Sequence, residues 1–342
     1  MAVYRVSRNR IESTVATLGS GPWTYDDLIA HGWTPRQLEG CVRRGALTRS
    51  RRGVYAVPAE PSPSPSPPLD ITAAHLRAVV SRLSDRAVLS HESAAVLHGM
   101  WTPGRPSAVV HVTIPGQAER WAAGLRVHAS RLPAEFITTV GGLRTTTVAR
   151  TAVDLAKGRT LPHAVVATDG GLRRLIEGAR PHAAHELRFR TVPDAVMRQS
   201  RDELEEALGS VWSWPGTRVV RSALDILEPA SESPFESWSR GWMEGVGLPR
   251  PVVNAEVFGS SGRRYFGDFV WRGPRLIGEA DGVGKYGVGE LGVRESLRAE
   301  RQRQADLEAA GWRVVRWTTG EPGRQVVARL GRALYLEPRL AA

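Results

Sequence analysis

Residues 265–282 read YFGDFVWRGPRLIGEADG, and this stretch decides the fold of the C-terminal part of the chain. The segments YFGDFVW and PRLIGEADG predict two neighbouring strands, the first with Asp268 and the second with Glu279 and Asp281. Because side chains alternate along a strand, Glu279 and Asp281 should share a face that Asp268 can join from the next strand. The sequence therefore predicts three carboxylates close together.

Carboxylates this close repel one another and lose hydration, so a domain that keeps them normally supplies a cation or a basic group. Magnesium suits such a site, because it prefers oxygen ligands, keeps several waters, and can activate a water and stabilise charge on a phosphodiester. The three acids thus indicate hydrolytic nuclease chemistry, with Mg²⁺ or Mn²⁺ as the cofactor.

The elements around these strands follow a recognisable order. From residue 231 to the C-terminus the patterns predict helix, hairpin, strand, helix and strand. The first helix contains the pattern SPxExxxR with Ser233, Glu236 and Arg240, and RQADLEAAGWRVVR at 303–316 closes the segment. Together with the ExDG of the second strand, these motifs resemble the PD-(D/E)xK nuclease superfamily, especially its Vsr-like restriction-endonuclease-like domains.

The resemblance implies that Asp268 and Glu279 hold the metal, and that Asp281, Lys285 and Glu236 belong to the catalytic set. Lys285 would stabilise charge on the phosphate, as fixed positive charge does in phosphoryl transfer. This chain departs from the superfamily at Asp281, where lysine is usual.

Part of this pattern also has a purely structural interpretation. Ser233 and Glu236 match a helix capping box, and Glu236 with Arg240 matches an i, i+4 ion pair. Arg303 is expected either to contact phosphate or to face solvent.

The N-terminal segment predicts a winged helix-turn-helix. Thr24 can cap a first short helix, and Thr34 with Gln37 forms the capping box of a second. The stretch LTRSRRGVYAVP that follows predicts two short strands, which would form the wing. The residues expected to contact DNA lie on the second helix or in the wing: Arg36, Gln37, Arg43, Arg44, Arg49, Arg51 and Arg52.

Residues 24–58, TYDDLIAHGWTPRQLEGCVRRGALTRSRRGVYAVP, resemble the N-terminal domain of AbiEi-type antitoxins. In that family the winged helix binds promoter DNA and represses its own operon. The resemblance therefore implies a regulatory role for this segment, in a toxin–antitoxin or phage-defence setting.

Six prolines with interleaved serines mark a spacer at 58–68. We expect a multidomain α+β protein: a winged helix-turn-helix at 1–57, this linker, a middle α+β domain at 69–200, and at 201–342 a helical connector with an α/β restriction-endonuclease-like domain.

The middle domain shows no convergent catalytic groups. His91, Glu92 and His98 match no recognised metal-ligand spacing, and Arg150 with Asp154 matches an intrahelical ion pair. This domain is expected to be structural or to bind a protein partner.

Composition limits the remaining function classes. The net charge of +11 favours a polyanionic partner, although the near-exclusive use of arginine also reflects a compositional bias. The single cysteine, Cys41, excludes a disulfide framework and a cysteine-based zinc site. There is no apolar run long enough to span a membrane and no signal peptide, so we expect a cytoplasmic protein with no membrane partner.

Three functions are consistent with this sequence. The first is a Mg-dependent endodeoxyribonuclease whose winged helix positions DNA. The second is an antitoxin-like transcriptional repressor whose nuclease fold is degenerate, which the departure at Asp281 favours. The third is a general nucleic-acid binder or an RNA-directed enzyme, because no residue distinguishes DNA from RNA.

Overall fold

The computed structural model describes much of the chain. The described residues are 10–11, 13–14, 17–18, 23–43, 46–51, 53–56, 72–104, 109–122, 124–180, 183–282 and 290–335. The chain divides into two compact units, one formed by residues 1–100 and 105–151 and the other by 101–104 and 152–342. Twelve α-helices and three sheets occur among the described residues, which confirms a multidomain α+β protein at that level.

The N-terminal part of the first unit has two short helices and a three-stranded antiparallel sheet of order β1-β3-β2. Its elements are β1 (Trp23–Thr24), α1 (Tyr25–Ala30), α2 (Pro35–Arg43), β2 (Thr48–Arg51) and β3 (Val54–Ala56). Both predicted caps are confirmed, because Thr24 exchanges hydrogen bonds with Asp27, and Thr34 with Gln37. Leu28, Leu38, Cys41 and Leu47 are buried and form the core of this part, and the half-buried Val42 packs against them.

The rest of the first unit is built on a mixed six-stranded sheet of order β6-β7-β5-β4-β9-β8. Its elements are α3 (Ala73–Val80), β4 (Val88–Leu89), α4 (His91–His98), β5 (Val110–Thr113), β6 (Arg120–Ala122), β7 (Leu125–His128), β8 (Ile137–Val140) and β9 (Leu143–Thr146). Helix α4 lies within the stretch SHESAAVLHGM at 90–100, and β5 and β7 lie within 109–116 and 125–130. Apolar residues of α3, β5 and β7 form the core of this region.

Helices dominate the first part of the second unit. They are α5 (Val148–Ala156), which begins in the first unit, α6 (Leu161–Ala179), α7 (Ala183–Arg188), α8 (Asp194–Gly209), α9 (Thr217–Leu224) and α10 (Pro234–Gly245). Helix α6 is buried over most of its length and packs against α8, α9 and α10. Gly241 of α10 lies against Pro162 of α6, where an added Cβ would come within 2.4 Å of the proline Cα. Close helix packing at this point therefore requires glycine.

A buried ion pair joins α6 to α10. Nη2 of Arg240 lies 2.9 and 2.7 Å from the two carboxylate oxygens of Asp169, and both side chains are almost fully buried. Asp169 also accepts hydrogen bonds from the Ser237 hydroxyl and from the backbone N–H of Glu228. Arg240 donates in addition to the Ile226 carbonyl. The predicted pairing of Arg240 with Glu236 is therefore wrong, because its guanidinium is committed to Asp169.

The C-terminal part of the second unit is a four-stranded sheet of order β10-β11-β12-β13. Its strands are β10 (Val252–Phe258), β11 (Arg264–Trp271), β12 (Leu276–Asp281) and β13 (Arg313–Thr318), and its helices are α11 (Glu290–Ala309) and α12 (Gly323–Tyr335). The first three strands are antiparallel, and β12 and β13 are parallel across the α11 crossover. The predicted order of helix, hairpin, strand, helix and strand is confirmed.

Apolar clusters cover both faces of this sheet. One contains Phe269, Trp271 and Trp317 with residues of α10 and α12, and the other contains Val270 and Ile277 with Leu307 of α11. Helices thus cover the sheet on both sides, as is usual where parallel strands pair.

The division of the chain into the two compact units falls within α5, and the packing of α6 on α10 groups residues 152–200 with the C-terminal segment. The predicted linker at 58–68 lies outside the described residues. Among the described helices, none has the length and hydrophobicity needed to cross a lipid bilayer.

The Asp169–Arg240 pair yields a stability prediction. Asp169→Ala and Arg240→Ala should each lower the free energy of unfolding by about 3–5 kcal/mol, because each leaves a charge buried without its partner. The double variant should lose less than the sum of the two single losses. Chemical denaturation of all four proteins measures this; strictly additive losses would show that the two side chains do not act as a pair.

Candidate functional site

At one point along the strand pair β10–β11, alternate side chains switch from one face of the sheet to the other. Val253 packs with Phe269 in one apolar cluster, whereas Ala255, two residues further on, packs in the other. Alternate residues of a regular strand share a face, so the strand is irregular between them. Asn254 explains this, because its φ of +49° lies in the left-handed region.

Asp268 lies opposite Asn254 in the register of this pair, since Val253 pairs with Phe269 and Ala255 with Gly267. The β11–β12 ladder reaches Phe269 and Gly278, so Glu279 is the next residue across from Asp268. Here the Asp268 carboxylate accepts the backbone N–H of Ala280 at 2.7 Å. The irregularity thus places Asp268 where β11 and β12 separate.

A cavity of about 440 Å³ opens at this point of the sheet. Five carboxylates and four arginines line it, together with Asn254, Tyr265 and Phe266; these charged residues are Glu232, Asp268, Glu279, Asp281, Glu300, Arg188, Arg264, Arg303 and Arg316. The structure therefore brings the three acids of the predicted cluster into one pocket. It adds three arginines that the sequence pattern did not assign to the site, Arg188, Arg264 and Arg316.

Glu279 is the most buried acid of this pocket. Burial, followed by the nearby negative charge of Asp268, raises its pKa to about 7, and Arg303 opposes that rise. Nη2 of Arg303 lies 2.7 Å from Oε1 of Glu279 and 2.8 Å from the Phe266 carbonyl oxygen. Arg303 therefore does not simply face solvent but braces β11 and β12 from α11.

Asp281 and Arg316 form a second, looser pair at the same end of the pocket. Nη1 of Arg316 lies 3.4 Å from Oδ2 of Asp281, and its other terminal nitrogen donates to Glu300. Glu300 also lies 3.3 Å from Arg303. Each acid of β12 is thus close to a guanidinium, which limits the net negative charge of the pocket.

Glu236 caps α10 and does not line the cavity. Its carboxylate accepts hydrogen bonds from the Ser233 hydroxyl at 2.7 Å and from the Glu232 backbone N–H at 2.8 Å. Burial and then the charge of Asp268 raise the pKa of Glu236 to about 7. The cap by the Ser233 hydroxyl is therefore confirmed, whereas the return bond of the predicted capping box goes to the N–H of Glu232 and not to that of Ser233. Glu236 contributes to the site through its electrostatic coupling to Asp268.

The donor chemistry of this pocket fits a magnesium ion held by few protein ligands. Mg²⁺ is often bound through one or two carboxylates while waters and phosphate oxygens complete its shell. Asp268 and Glu279 supply two such groups, and a cation would offset both the burial of Glu279 and the negative charge of Asp268, which together raise the pKa of Glu279. Across the described residues, no three His, Cys, Asp or Glu side chains are grouped as a metal site. The fit is thus to a two-carboxylate site.

Several predicted site residues, or their side chains, are not among the residues that the structure describes. Lys285, Arg44 and Arg52 are not among the described residues, and the same holds for the side chains of Arg43, Arg49 and Arg51. Of the predicted DNA contacts, Arg36 is exposed on α2, and the side-chain oxygen of Gln37 accepts the backbone N–H of Thr34.

The first unit contains a group of histidines that the sequence reasoning did not bring together. His91 stacks on His128 with ring centroids 3.5 Å apart, and Nδ1 of His111 lies 2.9 Å from Nε2 of His128. Glu92 lies 3.7 Å from His111. His98 instead hydrogen-bonds the Thr146 carbonyl. His98 and His91 therefore form no common site, although their spacing places them on the same helix face. The pairing of β5 with β7 brings His111 close to His128, and the spacing of these residues in the sequence does not predict this contact.

Sequence reasoning also missed several residues of the pocket itself. The lining includes four residues that belong to none of the sequence motifs described above: Asn254, Glu300, Arg188 and Arg264. The left-handed backbone of Asn254 depends on its tertiary setting, and Arg188 comes from α7, far from the sheet in sequence. Asparagine tolerates this conformation better than most residues, which was the one available signal.

Comparisons with known proteins give relatives but no function. No family model matches the chain. It is 30% identical over 305 residues to two Mycobacterium tuberculosis proteins, uncharacterized protein MT2308 of strain CDC 1551 / Oshkosh and uncharacterized protein Rv2248 of strain ATCC 25618 / H37Rv. The alignment covers 88% of this chain and 97% of each relative. The crystal structure of the RV2827C protein from Mycobacterium tuberculosis aligns with a TM-score of 0.36 at 16% identity, over 74% of this chain and 88% of that one.

The electrostatics of the pocket predict a pH-dependent stability. Because the folded pKa of Glu279 and Glu236 is raised, the stability they contribute is full below about pH 4.5 and is lost as the pH rises through about 7. Asp268→Asn removes the charge that both acids experience and keeps an oxygen for the Ala280 N–H. In EDTA, we expect this variant to be more stable than wild type at pH 8 by about 1 kcal/mol, or roughly 2–4 °C, and nearly equal at pH 5.

Thermal melts of both proteins at the two pH values measure this difference. An equal shift at pH 5 and pH 8 would contradict it, since the effect would then not depend on ionisation of the glutamates.

Proposed function

The chain belongs to the same family as these two mycobacterial proteins, and we propose that it is a DNA-binding protein with a Mg-dependent, endonuclease-like site in its second unit. The observation that carries the proposal is the meeting of Asp268 and Glu279 in one pocket lined by arginines. Carboxylates can hold the cation and guanidinium groups can bind phosphate, so the lining matches both requirements of phosphodiester hydrolysis.

Asp268 and Glu279 are the residues that would hold Mg²⁺, or Mn²⁺ in its place. When bound, the metal supplies an activated water and stabilises charge on the phosphate. Asp268 is fixed for this role by the Ala280 N–H, and Glu279 by Arg303. Arg188 and Arg264 lie on the pocket wall, where they would offset the charge of the incoming phosphates.

The order of elements supports a nuclease-type fold for this segment. A helix, an antiparallel hairpin, a third strand, a crossover helix and a parallel fourth strand follow one another in the order expected from the PD-(D/E)xK resemblance. Asp268 and Glu279 occupy the two central strands, β11 and β12. The proposal assigns this fold to residues 231–335, with Asp281 and Lys285 as further members of the site.

The N-terminal segment is proposed as a winged helix-turn-helix that binds DNA. Support comes from the order of α1, α2 and the β2–β3 hairpin, and from the exposed Arg36 on α2. The proposed contacts to DNA are Arg36, Gln37, Arg43, Arg44, Arg49, Arg51 and Arg52, most of which are arginines suited to phosphate. This segment would hold the duplex, while the second unit acts on it.

The proposal predicts metal-dependent cleavage that depends on both carboxylates. Wild-type protein should nick supercoiled plasmid with Mg²⁺ or Mn²⁺ and not with EDTA. Asp268→Asn and Glu279→Gln should each lower the rate by at least about 100-fold, because each keeps the side-chain shape but removes a charged ligand. Glu308→Ala, an exposed acid of α11, is the matched control and should cleave as wild type does.

Gel analysis of plasmid nicking over time, with all four proteins at one salt concentration, measures these rates. Nicking that persists in both Asp268→Asn and Glu279→Gln would show that the activity belongs to a contaminant or to another site.

A second candidate function is an antitoxin-like transcriptional repressor whose nuclease fold is degenerate. The pairing of Glu279 with Arg303 and of Asp281 with Arg316 favours it, because guanidinium groups then occupy positions beside the acids that a cation would need. In the same assay this candidate predicts no nicking with any divalent metal. It also predicts specific DNA binding that is lost in the Arg51→Ala, Arg52→Ala double variant.

A further inference from the structure

We propose that Phe189 is a stacking surface for an unpaired nucleobase, so that the pocket of the second unit takes a single-stranded nucleic acid. This inference rests on the proposed function, because it names the substrate of the same site. It comes from an exposed aromatic ring beside the pocket and from the arginines and strained backbone around that ring.

Phe189 follows α7 directly and is one of the exposed large apolar side chains of the second unit, at 39% exposure. Its ring meets Phe266 edge-on, with centroids 5.8 Å apart and planes at 85°, while His185 lies 4.5 Å away. Phe266 is half-buried and lines the pocket. Phe266 therefore holds the ring of Phe189 at the pocket rim, and part of that ring remains open to solvent.

Two arginines lie close to the ring of Phe266. The guanidinium carbon of Arg188 lies 4.8 Å from the centroid of Phe266, and that of Arg264 lies 5.8 Å from it. Both arginines line the same pocket. Each also lies near a carboxylate, Arg188 at 3.6 Å from Glu232 and Arg264 at 3.9 Å from Glu256. An aromatic surface with guanidinium groups beside it suits a ligand that is both flat and anionic, as a nucleotide is.

The backbone beside Phe189 is also held in an unusual conformation. Arg190 has a φ of +54°, and its side chain donates to the Val253 carbonyl and pairs with Glu228. Val253 precedes Asn254, the left-handed residue of β10. Positive φ at non-glycine residues costs free energy, and such residues cluster at functional sites. These bonds fix Phe189 next to the irregular part of the sheet that carries Asp268.

An unpaired base fits this arrangement better than a base pair does. In a duplex both faces of each base are covered by its neighbours, so an aromatic side chain can stack on a base only after that stack is opened, which costs a few kcal/mol per step, whereas the bases of a single strand are already accessible. The cavity of about 440 Å³ has the size of a small-ligand site and can hold one nucleotide. The stacked base would then bring its phosphate towards the pocket arginines.

Binding of oligonucleotides by the full-length protein tests this inference. Fluorescence anisotropy in EDTA compares a labelled twelve-nucleotide oligothymidine strand with a labelled twelve-base-pair duplex. Phe189→Ala should weaken binding of the single strand by roughly 5- to 100-fold, because one base loses its stacking partner. Binding of the duplex should change by less than about two-fold, since the N-terminal segment is proposed to hold it.

Three further variants separate stacking from general effects. Phe189→Trp keeps an aromatic surface and should bind the single strand as wild type does, whereas Phe189→Leu keeps an apolar side chain without a ring and should be as weak as Phe189→Ala. Trp212→Ala removes another exposed aromatic ring of the second unit, which does not line the pocket, and should have no effect. A strand containing 2-aminopurine should lose fluorescence on binding to wild type and keep it with Phe189→Leu.

Equal single-strand affinity of wild type, Phe189→Ala and Phe189→Leu would overturn the inference, and so would parallel losses for strand and duplex. An oligouridine strand with the same dependence on Phe189 supports it, because a base of either nucleic acid can stack. The measurement needs no metal, so Phe189-dependent binding without any cleavage retains the stacking site and removes the nuclease proposal. Metal-dependent cleavage that does not depend on Phe189 retains the nuclease proposal and removes the stacking site.

Discussion

The buried ion pair between Asp169 and Arg240 is the constraint on which the second unit depends. It lies between the buried helix α6 and helix α10, which starts the C-terminal segment and covers one face of its sheet. A buried pair of this kind needs further hydrogen bonds to its charged groups. Here Ser237 and the Glu228 N–H donate to Asp169 and the Ile226 carbonyl accepts from Arg240, while Nε of Arg240 is buried without a hydrogen-bond partner among the described residues. With α10 fixed in this way, Glu236 lies close enough to Asp268 for the two charges to interact.

The pocket itself arises from a departure from regular sheet geometry. Asn254 and Asp268 lie opposite each other where β10 and β11 change facing, and Asp268 then bonds the Ala280 N–H across the separating strands. This arrangement concentrates acids in a partly buried place. Burial, followed by the negative charge of Asp268, raises the pKa of Glu279 and Glu236 to about 7. A fold keeps such a cost where the charges have a use, so the strain and the raised pKa values point to the same site.

Much of this architecture could be predicted from local sequence. Helix caps at Thr24 and Thr34, the strands that carry Asp268 and Glu279, and the element order after residue 231 all follow from short-range patterns. The ion pair of Asp169 with Arg240 joins residues 71 positions apart, and no local pattern connects them. The same limit applies to Arg303 with Glu279 and to the left-handed conformation of Asn254, because neighbours distant in sequence determine all three.

The central claim is that Asp268 and Glu279 together bind a divalent cation in the arginine-lined pocket. The most direct measurement is the anomalous difference density of a crystal soaked in Mn²⁺, with a crystal of the Asp268→Asn variant as the control. The account predicts a peak between the two carboxylates in wild type, absent from the variant. A wild-type crystal without that peak, in which Arg303 still bonds Glu279, would contradict it and favour the repressor with a degenerate nuclease fold.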